Sequence, residues 1–274
     1  MQELDQVVVK QPSPWLILDC RAKLGDASWG YQAYKTGHIP GALYANLDQD
    51  LAAPPGLHGR HPLPTQTQWL DTLSNWGITP ETQVVTYDDA GGAYAARAWW
   101  MLRWVGHGRV AVLDGGLHAY TGDLELVEPA TPKRSAFAAA ETLTKLISTQ
   151  DLCDEITVGE DSDVKLIDAR AVARWSGEEE PIDPIAGHIP GADCLPFQEN
   201  LSSNGYFKTA SELAERFSAY AERPTNAICY CGSGVTATHN ILAMNIAGCA
   251  EPVLYADSWS GWITDSTRPI ATTR

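Results

Sequence analysis

Gly37-His38-Ile39-Pro40-Gly41-Ala42 recurs without a change as Gly187-His188-Ile189-Pro190-Gly191-Ala192 in a chain of 274 residues. Outward from each hexapeptide the similarity continues. Upstream, an apolar run ends in Asp-x-Arg, as Leu16-Ile17-Leu18-Asp19-Cys20-Arg21 and again as Leu166-Ile167-Asp168-Ala169-Arg170. Downstream, Val84-Val85-Thr86-Tyr87-Asp88 answers to Ala227-Ile228-Cys229-Tyr230-Cys231, and Val112-Leu113 to Val253-Leu254. Four blocks in the same order are the mark of a duplicated domain. Within each copy, short apolar runs alternate with helical patterns: Trp69, Leu70, Leu73 and Trp76 in the first, Leu213 and Phe217 after Thr209-Ala210-Ser211-Glu212 in the second. That alternation predicts an α/β fold, two tandem domains each with a mainly parallel sheet flanked by helices. The expected boundaries are 1–124, a Pro-containing linker over 125–145, and 146–274, with Ser148 or Thr149 capping a helix through Leu152 and Ile156. The two histidines of the hexapeptides, present in both copies, read as turn-forming residues rather than catalytic ones.

A formal charge of −15 and a pI near 4.7 disfavour nucleic acid and anionic membranes as partners. The acidic start Met1-Gln2-Glu3-Leu4-Asp5 has neither the basic nor the apolar region of a secretory signal, and no apolar run reaches membrane-span length, so a soluble, cytoplasmic protein is expected. Six cysteines without Cys-x-x-Cys spacing predict free thiols and no metal site; no nucleotide fingerprint or other cofactor motif is present.

The copies diverge where chemistry is expected. In the second, the strand ending at Tyr230 runs into Cys231-Gly232-Ser233-Gly234-Val235-Thr236 and then a helix predicted to bury Val235, Leu242 and Ile246. Gly232 and Gly234 allow a tight turn, and its inward amides at a helix N-terminus favour an anion at the centre. An exposed Cys231 there should ionise below the usual thiol value of about 8.5 and act as a nucleophile. The first copy carries Asp88 at the same place and should be catalytically silent. A buried structural cysteine before a glycine turn is the alternative.

The tandem hexapeptides, the Asp-x-Arg strand ends and Cys231-Gly232-Ser233-Gly234-Val235-Thr236-Ala237 together resemble two-domain rhodanese-type sulfurtransferases over nearly the whole chain, and the cysteine loop is most similar to that of mercaptopyruvate sulfurtransferases. The resemblance implies a silent first domain, an active second domain and a site in the cleft between them. It also implies transfer of a sulfane sulfur from a small-molecule donor to cyanide or a thiol such as reduced thioredoxin, through a Cys231 persulfide. Loop residues Gly232, Gly234, Val235 and Thr236 would bind the donor. Ser233, His61 and Asp48 match a proton-handling set, with His58 as rival for the histidine; Arg174 matches a substrate-anion arginine, and Arg170, four residues before it and counted with the donor-binding residues, reads more readily as holding Asp168 or the loop. The neutral side chains after Cys231 favour mercaptopyruvate over thiosulfate. Asp183, where many mercaptopyruvate enzymes carry a second arginine, departs from the pattern and argues the other way. A cysteine phosphatase would need an arginine at the end of the loop, where Thr236-Ala237-Thr238 stands. A pair of silent binding modules is the remaining alternative.

Overall fold

The computed structural model describes residues 15–157, 164–221 and 227–273; the acidic N-terminal pentapeptide lies outside them. Two compact units emerge. One ends at Ala53 and resumes over Leu63–Leu143; the other takes Pro54–Pro62 and the described chain from Thr144 onward.

In the first unit the elements are β1 (Trp15–Asp19), α1 (Trp29–Thr36), β2 (Leu43–Tyr44), α2 (Gln66–Asn75), β3 (Gln83–Tyr87), α3 (Ala95–Trp104), β4 (Val110–Val112) and a single turn, α4 (Gly116–Ala119). The strands stand in the order β2-β1-β3-β4, all parallel, with Leu18 opposite both Leu43 and Thr86. Helices cover both faces of such a sheet, so its inner strands read as unbroken apolar runs rather than alternating ones. Helix α2 begins with a reciprocal capping box between Thr65 and Gln68, and buries Trp69 and Leu73.

The second unit repeats the plan: β5 (Lys145–Ile147), α5 (Thr149–Thr157), β6 (Lys165–Asp168), α6 (Val172–Ser176), β7 (Ala192–Cys194), a 3₁₀ turn at Phe197–Asn200, α7 (Ala210–Arg216), α8 (Ser218–Ala221), β8 (Ala227–Tyr230), α9 (Ala237–Ile246), β9 (Val253–Tyr255) and α10 (Ser258–Trp262). Its parallel order is β5-β9-β8-β6-β7. Strands β6 to β9 thus reproduce β1 to β4, and β5 adds an edge. The Ser148 hydroxyl accepts the Asp151 N–H at the start of α5. Thr209 and Glu212 form a second capping box, on α7. Tyr255, Trp259 and Trp262 pack with Leu152, Ile189 and Tyr230 in one core cluster; each such side chain contributes on the order of 1.5–3 kcal/mol by leaving water. Among the described residues no helix is long and apolar enough to cross a membrane.

Each repeated hexapeptide is locked by the Asp-x-Arg before it. Arg21 Nη2 bonds Asp19 Oδ2 and the Gly37 carbonyl, each at 2.7 Å. Arg170 Nη2 does the same with Asp168 at 2.7 Å and the Gly187 carbonyl at 2.6 Å. His38 and His188 hold turn geometry through Nδ1 contacts with the Tyr34 and Trp175 carbonyls, as expected of structural residues. Past the last helix of each unit an extended residue pairs with the histidine: Glu125 with His38, Ala271 with His188.

Of residues 125–145, expected as a linker, 125–143 run along the first unit. The Phe137 N–H donates to Ser74 Oγ, the Ala140 N–H to the Val105 carbonyl and the Leu143 N–H to the Arg103 carbonyl, so backbone bonding to α2 and α3 replaces the freedom its composition suggested. Phe137 meets His107 edge-on at 5.7 Å. Burial holds the His107 pKa below its ordinary 6.5, and among the described residues its Nε2 has no hydrogen-bond partner. The unfolded imidazole therefore binds its proton first. Stability should be unaffected by this residue above that pH, fall as pH drops below it, and level off once the folded ring is protonated. Urea unfolding at about pH 7.5 and about pH 5.5 should show His107→Phe losing less stability on acidification than the parent; equal losses would show that His107 carries none of the acid sensitivity.

Candidate active site

The first unit shows what its strand-to-helix loop is built to hold. Asp88 follows β3, and its carboxylate accepts four backbone N–H groups at 2.8 Å each: Ala90 and Gly92 on Oδ1, Tyr94 and Ala95 on Oδ2. A loop entering a helix has converged its amides on one buried negative charge.

Cys231 occupies the same place after β8. The Trp259 N–H donates to the Cys231 carbonyl at 3.0 Å, and the Ser260 N–H to the Gly232 carbonyl at 2.9 Å. Because a trans peptide points its N–H opposite to its carbonyl, the N–H groups of Gly232 and Ser233 are directed away from α10. The Leu117 N–H holds the Asp88 carbonyl in the same way at 2.8 Å. At Gly234 the backbone has φ of +76°, and a Cβ would lie 2.3 Å from the Ala256 carbonyl oxygen, so no other residue fits without moving the backbone that follows β9.

Sequence reasoning missed two residues at this loop. Ser258 is the one non-glycine with positive φ among the described residues, at +53°. Its buried hydroxyl accepts the Cys231 N–H at 3.1 Å and donates to the Tyr255 carbonyl at 2.9 Å. The first unit has Gly116 at the corresponding position, with φ of +56°. The second is Arg60, described below; it was in plain view beside His61, but nothing in the sequence sets its guanidinium near residue 232.

The thiol is not exposed as expected: Cys231 is only 2% exposed, with Gly232 and Ser233 buried beside it. Its loop lies between the strand end and α10, and arginines stand next to Gly232. Val235 is buried, but within the loop, since α9 starts only at Ala237, and Ile246, expected on the buried face, is exposed at the end of α9. Thr236 is the N-cap residue of α9 and makes no side-chain cap bond. Burial pushes the thiols of Cys20, Cys153, Cys229 and Cys249 up from their ordinary value, and that of Cys194 up to about 12.

Pro54–Pro62, although from the first half of the sequence, belongs to the second unit and brings three candidate side chains to it. His61 Nδ1 lies 2.7 Å from Ser233 Oγ, both groups buried. His58, the rival, stands with a side chain 75% exposed and its Nδ1 3.0 Å from Asp257 Oδ2. His61 is therefore the histidine of the loop. The segment can approach α10 because residue 59 is glycine: a Cβ there would sit 2.5 Å from Ser260 Oγ. Asp48 belongs to the first unit, exposed on the turn after β2, with its N–H on the Asn46 side-chain oxygen at 2.9 Å.

The arginines divide by role. Arg170, counted with the donor-binding candidates but read as a holder of Asp168 or the loop, is buried, with nitrogens on Asp168, the Gly187 carbonyl and Glu180, and its guanidinium 4.8 Å from the Trp259 ring centre. These bonds make it part of the hexapeptide lock. Arg174 reaches Glu180 through Nε at 2.9 Å and Asp183 Oδ2 through Nη2 at 2.9 Å. Arg60 takes the other Asp183 oxygen through Nη1. A Cβ on Gly232 would lie 2.8 Å from Arg60 Nη2 and 3.4 Å from Arg174 Nη1, so both guanidinium groups border the residue next to the cysteine.

Fold and site together define a duplicated α/β protein whose second copy sets a cysteine where the first has an amide-bound carboxylate. The chain belongs to the rhodanese-like domain family, whose profile matches residues 2–123 and 154–265. It is 47% identical over 264 residues to a probable 3-mercaptopyruvate sulfurtransferase of Pseudomonas aeruginosa, covering 94% of this chain and 92% of that one. It is 32% identical over 253 residues to a thiosulfate sulfurtransferase of Gallus gallus, covering 86% and 84%. Among solved structures it is similar to a 3-mercaptopyruvate sulfurtransferase from Leishmania major, with a TM-score of 0.75 and 29% identity, over 90% of this chain and 69% of that one.

The carboxylate in the first loop gives a direct test of the amide ring. Asp88→Ala should lower the free energy of unfolding by about 2–4 kcal/mol, because it leaves four backbone donors, those of Gly92 and Ala95 buried, without their acceptor. A loss below about 0.5 kcal/mol in urea melts would show that these amides do not depend on a central negative charge.

Proposed function

We propose that the chain is a sulfurtransferase that takes sulfur from 3-mercaptopyruvate onto Cys231 and passes it to a thiol acceptor, such as reduced thioredoxin, or to cyanide. The observation that carries this reading is the replacement, within one chain, of an amide-held carboxylate by a cysteine on the same loop scaffold. A loop able to hold the Asp88 anion is suited to hold a thiolate and, after transfer, a persulfide anion.

In the first half-reaction the Cys231 thiolate attacks the donor's sulfur. The new S–S bond forms as the donor's C–S bond breaks, and the electron pair of that bond leaves on carbon as the enolate of pyruvate. The proton of the donor's thiol ends on that carbon, giving pyruvate and a Cys231 persulfide anion. In the second, an acceptor thiolate or cyanide attacks the outer sulfur and releases the Cys231 thiolate. Ser233 and His61, hydrogen-bonded to each other, provide a route for the proton beside the cysteine. Arg174 and Arg60 supply donors for the carboxylate. Among the relatives above, the more similar carries a mercaptopyruvate name and supports that donor; thiosulfate is the second candidate.

Incubation with mercaptopyruvate followed by intact-mass measurement should add one sulfur atom, and Cys231→Ser should abolish the gain. No gain with either donor would favour a binding module. His61→Asn should lower kcat/KM for mercaptopyruvate by about 10²-fold, in the range of general acid–base contributions. A change of less than threefold would remove His61 from the proton route.

A further inference from the structure

Asp183 lies between two positive charges at the loop. One oxygen takes Arg60 Nη1 and the other Arg174 Nη2, the latter at 2.9 Å, while the Asp183 side chain is nearly buried. The remaining nitrogens, Arg60 Nη2 and Arg174 Nη1, face Gly232. Glu180 completes the network by binding Arg174 at 2.8 Å and Arg170 at 3.3 Å, and Arg170 is bound to Asp168. Arg60, Arg170 and Arg174 are thus matched by Asp168, Glu180 and Asp183. A connected network of this kind presents donors to an anion without presenting net positive charge.

We propose that Asp183 determines donor choice: it holds Arg60 and Arg174 side by side at Gly232 while cancelling one of their charges, so that the site favours a monoanionic carboxylate over a dianion. The inference rests on the reading of Cys231 as the sulfur acceptor. Each guanidinium still offers N–H groups to a carboxylate, and such directed, charge-assisted donors hold a monoanion at a network with no net charge. Thiosulfate brings two negative charges, and the second meets a network already neutral. Removing the Asp183 charge should therefore help thiosulfate more than mercaptopyruvate, and removing the Arg60 charge should do the reverse. One unit charge at about 6 Å, with an effective dielectric between those of a protein surface and bulk water, corresponds to about tenfold.

The test is kcat/KM for mercaptopyruvate and for thiosulfate, with cyanide as acceptor, in the full chain and in Asp183→Asn and Arg60→Gln. The ratio of thiosulfate to mercaptopyruvate should rise about tenfold in the first variant and fall by a similar factor in the second. A purely structural Asp183 would depress both donors together. Ratios that stay within twofold of the parent in both variants would overturn the proposal while the parent still gains sulfur on Cys231. A parent that gains no sulfur from either donor would sink the Cys231 reading and this proposal with it. Should Asp183→Asn fail to fold, the Arg60→Gln ratio decides alone, because its expected sign is opposite to that of a general loss.

Discussion

Two backbone hydrogen bonds, from the Trp259 and Ser260 N–H groups to the carbonyls of Cys231 and Gly232, fix the direction of the loop on which the second unit's chemistry depends. With those carbonyls held toward α10, planar trans peptides leave the following N–H groups facing the other way. The first unit makes the same arrangement around Asp88, where the resulting amide ring has a negative group in it. The same scaffold therefore serves two purposes. With aspartate it is a closed structural knot, and in the second unit it carries a thiol at the same place.

Behind the loop, each unit relies on a buried Asp–Arg pair that also binds the first carbonyl of the repeated hexapeptide. Desolvating two charges largely offsets their attraction, so such a pair adds little net stability, whereas removing one partner leaves a buried charge that costs several kcal/mol. Its value is geometric: it ties a strand end to a turn that is distant in sequence. In the second unit the same arginine lies against the Trp259 ring, at the start of α10. The lock and the cysteine loop thereby share one helix.

The acidic residues near the site have a physical role that composition conceals. A chain with a formal charge of −15 offers few cations, yet two of them border Gly232. Glu180 and Asp183 hold these arginines in place, and guanidinium groups pre-oriented by carboxylates lose less freedom on binding an anion than mobile ones. The departure noticed at Asp183 thus has a structural counterpart in Arg60, which an aspartate at 183 can bind and an arginine there would repel.

The sequence was enough to establish the duplication, the α/β class, the strand–loop–helix character of 227–246, the capping boxes' positions on α7 and the structural part of His38 and His188. Each of these is a local or repeated pattern: spacing, turn chemistry and self-similarity are properties of the chain itself. It could not show that Cys231 is buried or that 125–143 runs along the first unit, because burial and pairing depend on what other segments bring. That His61 and not His58, only three residues away, meets Ser233 was likewise decided by tertiary structure: the Pro54–Pro62 segment packs on α10 so that one imidazole meets Ser233 and the other meets Asp257 in solvent. Arg60 belongs to the same class. Its place beside Gly232 is set by contacts more than 120 residues away in the chain, at Asp183 and Ser260, and no periodicity or motif encodes a distance of that kind.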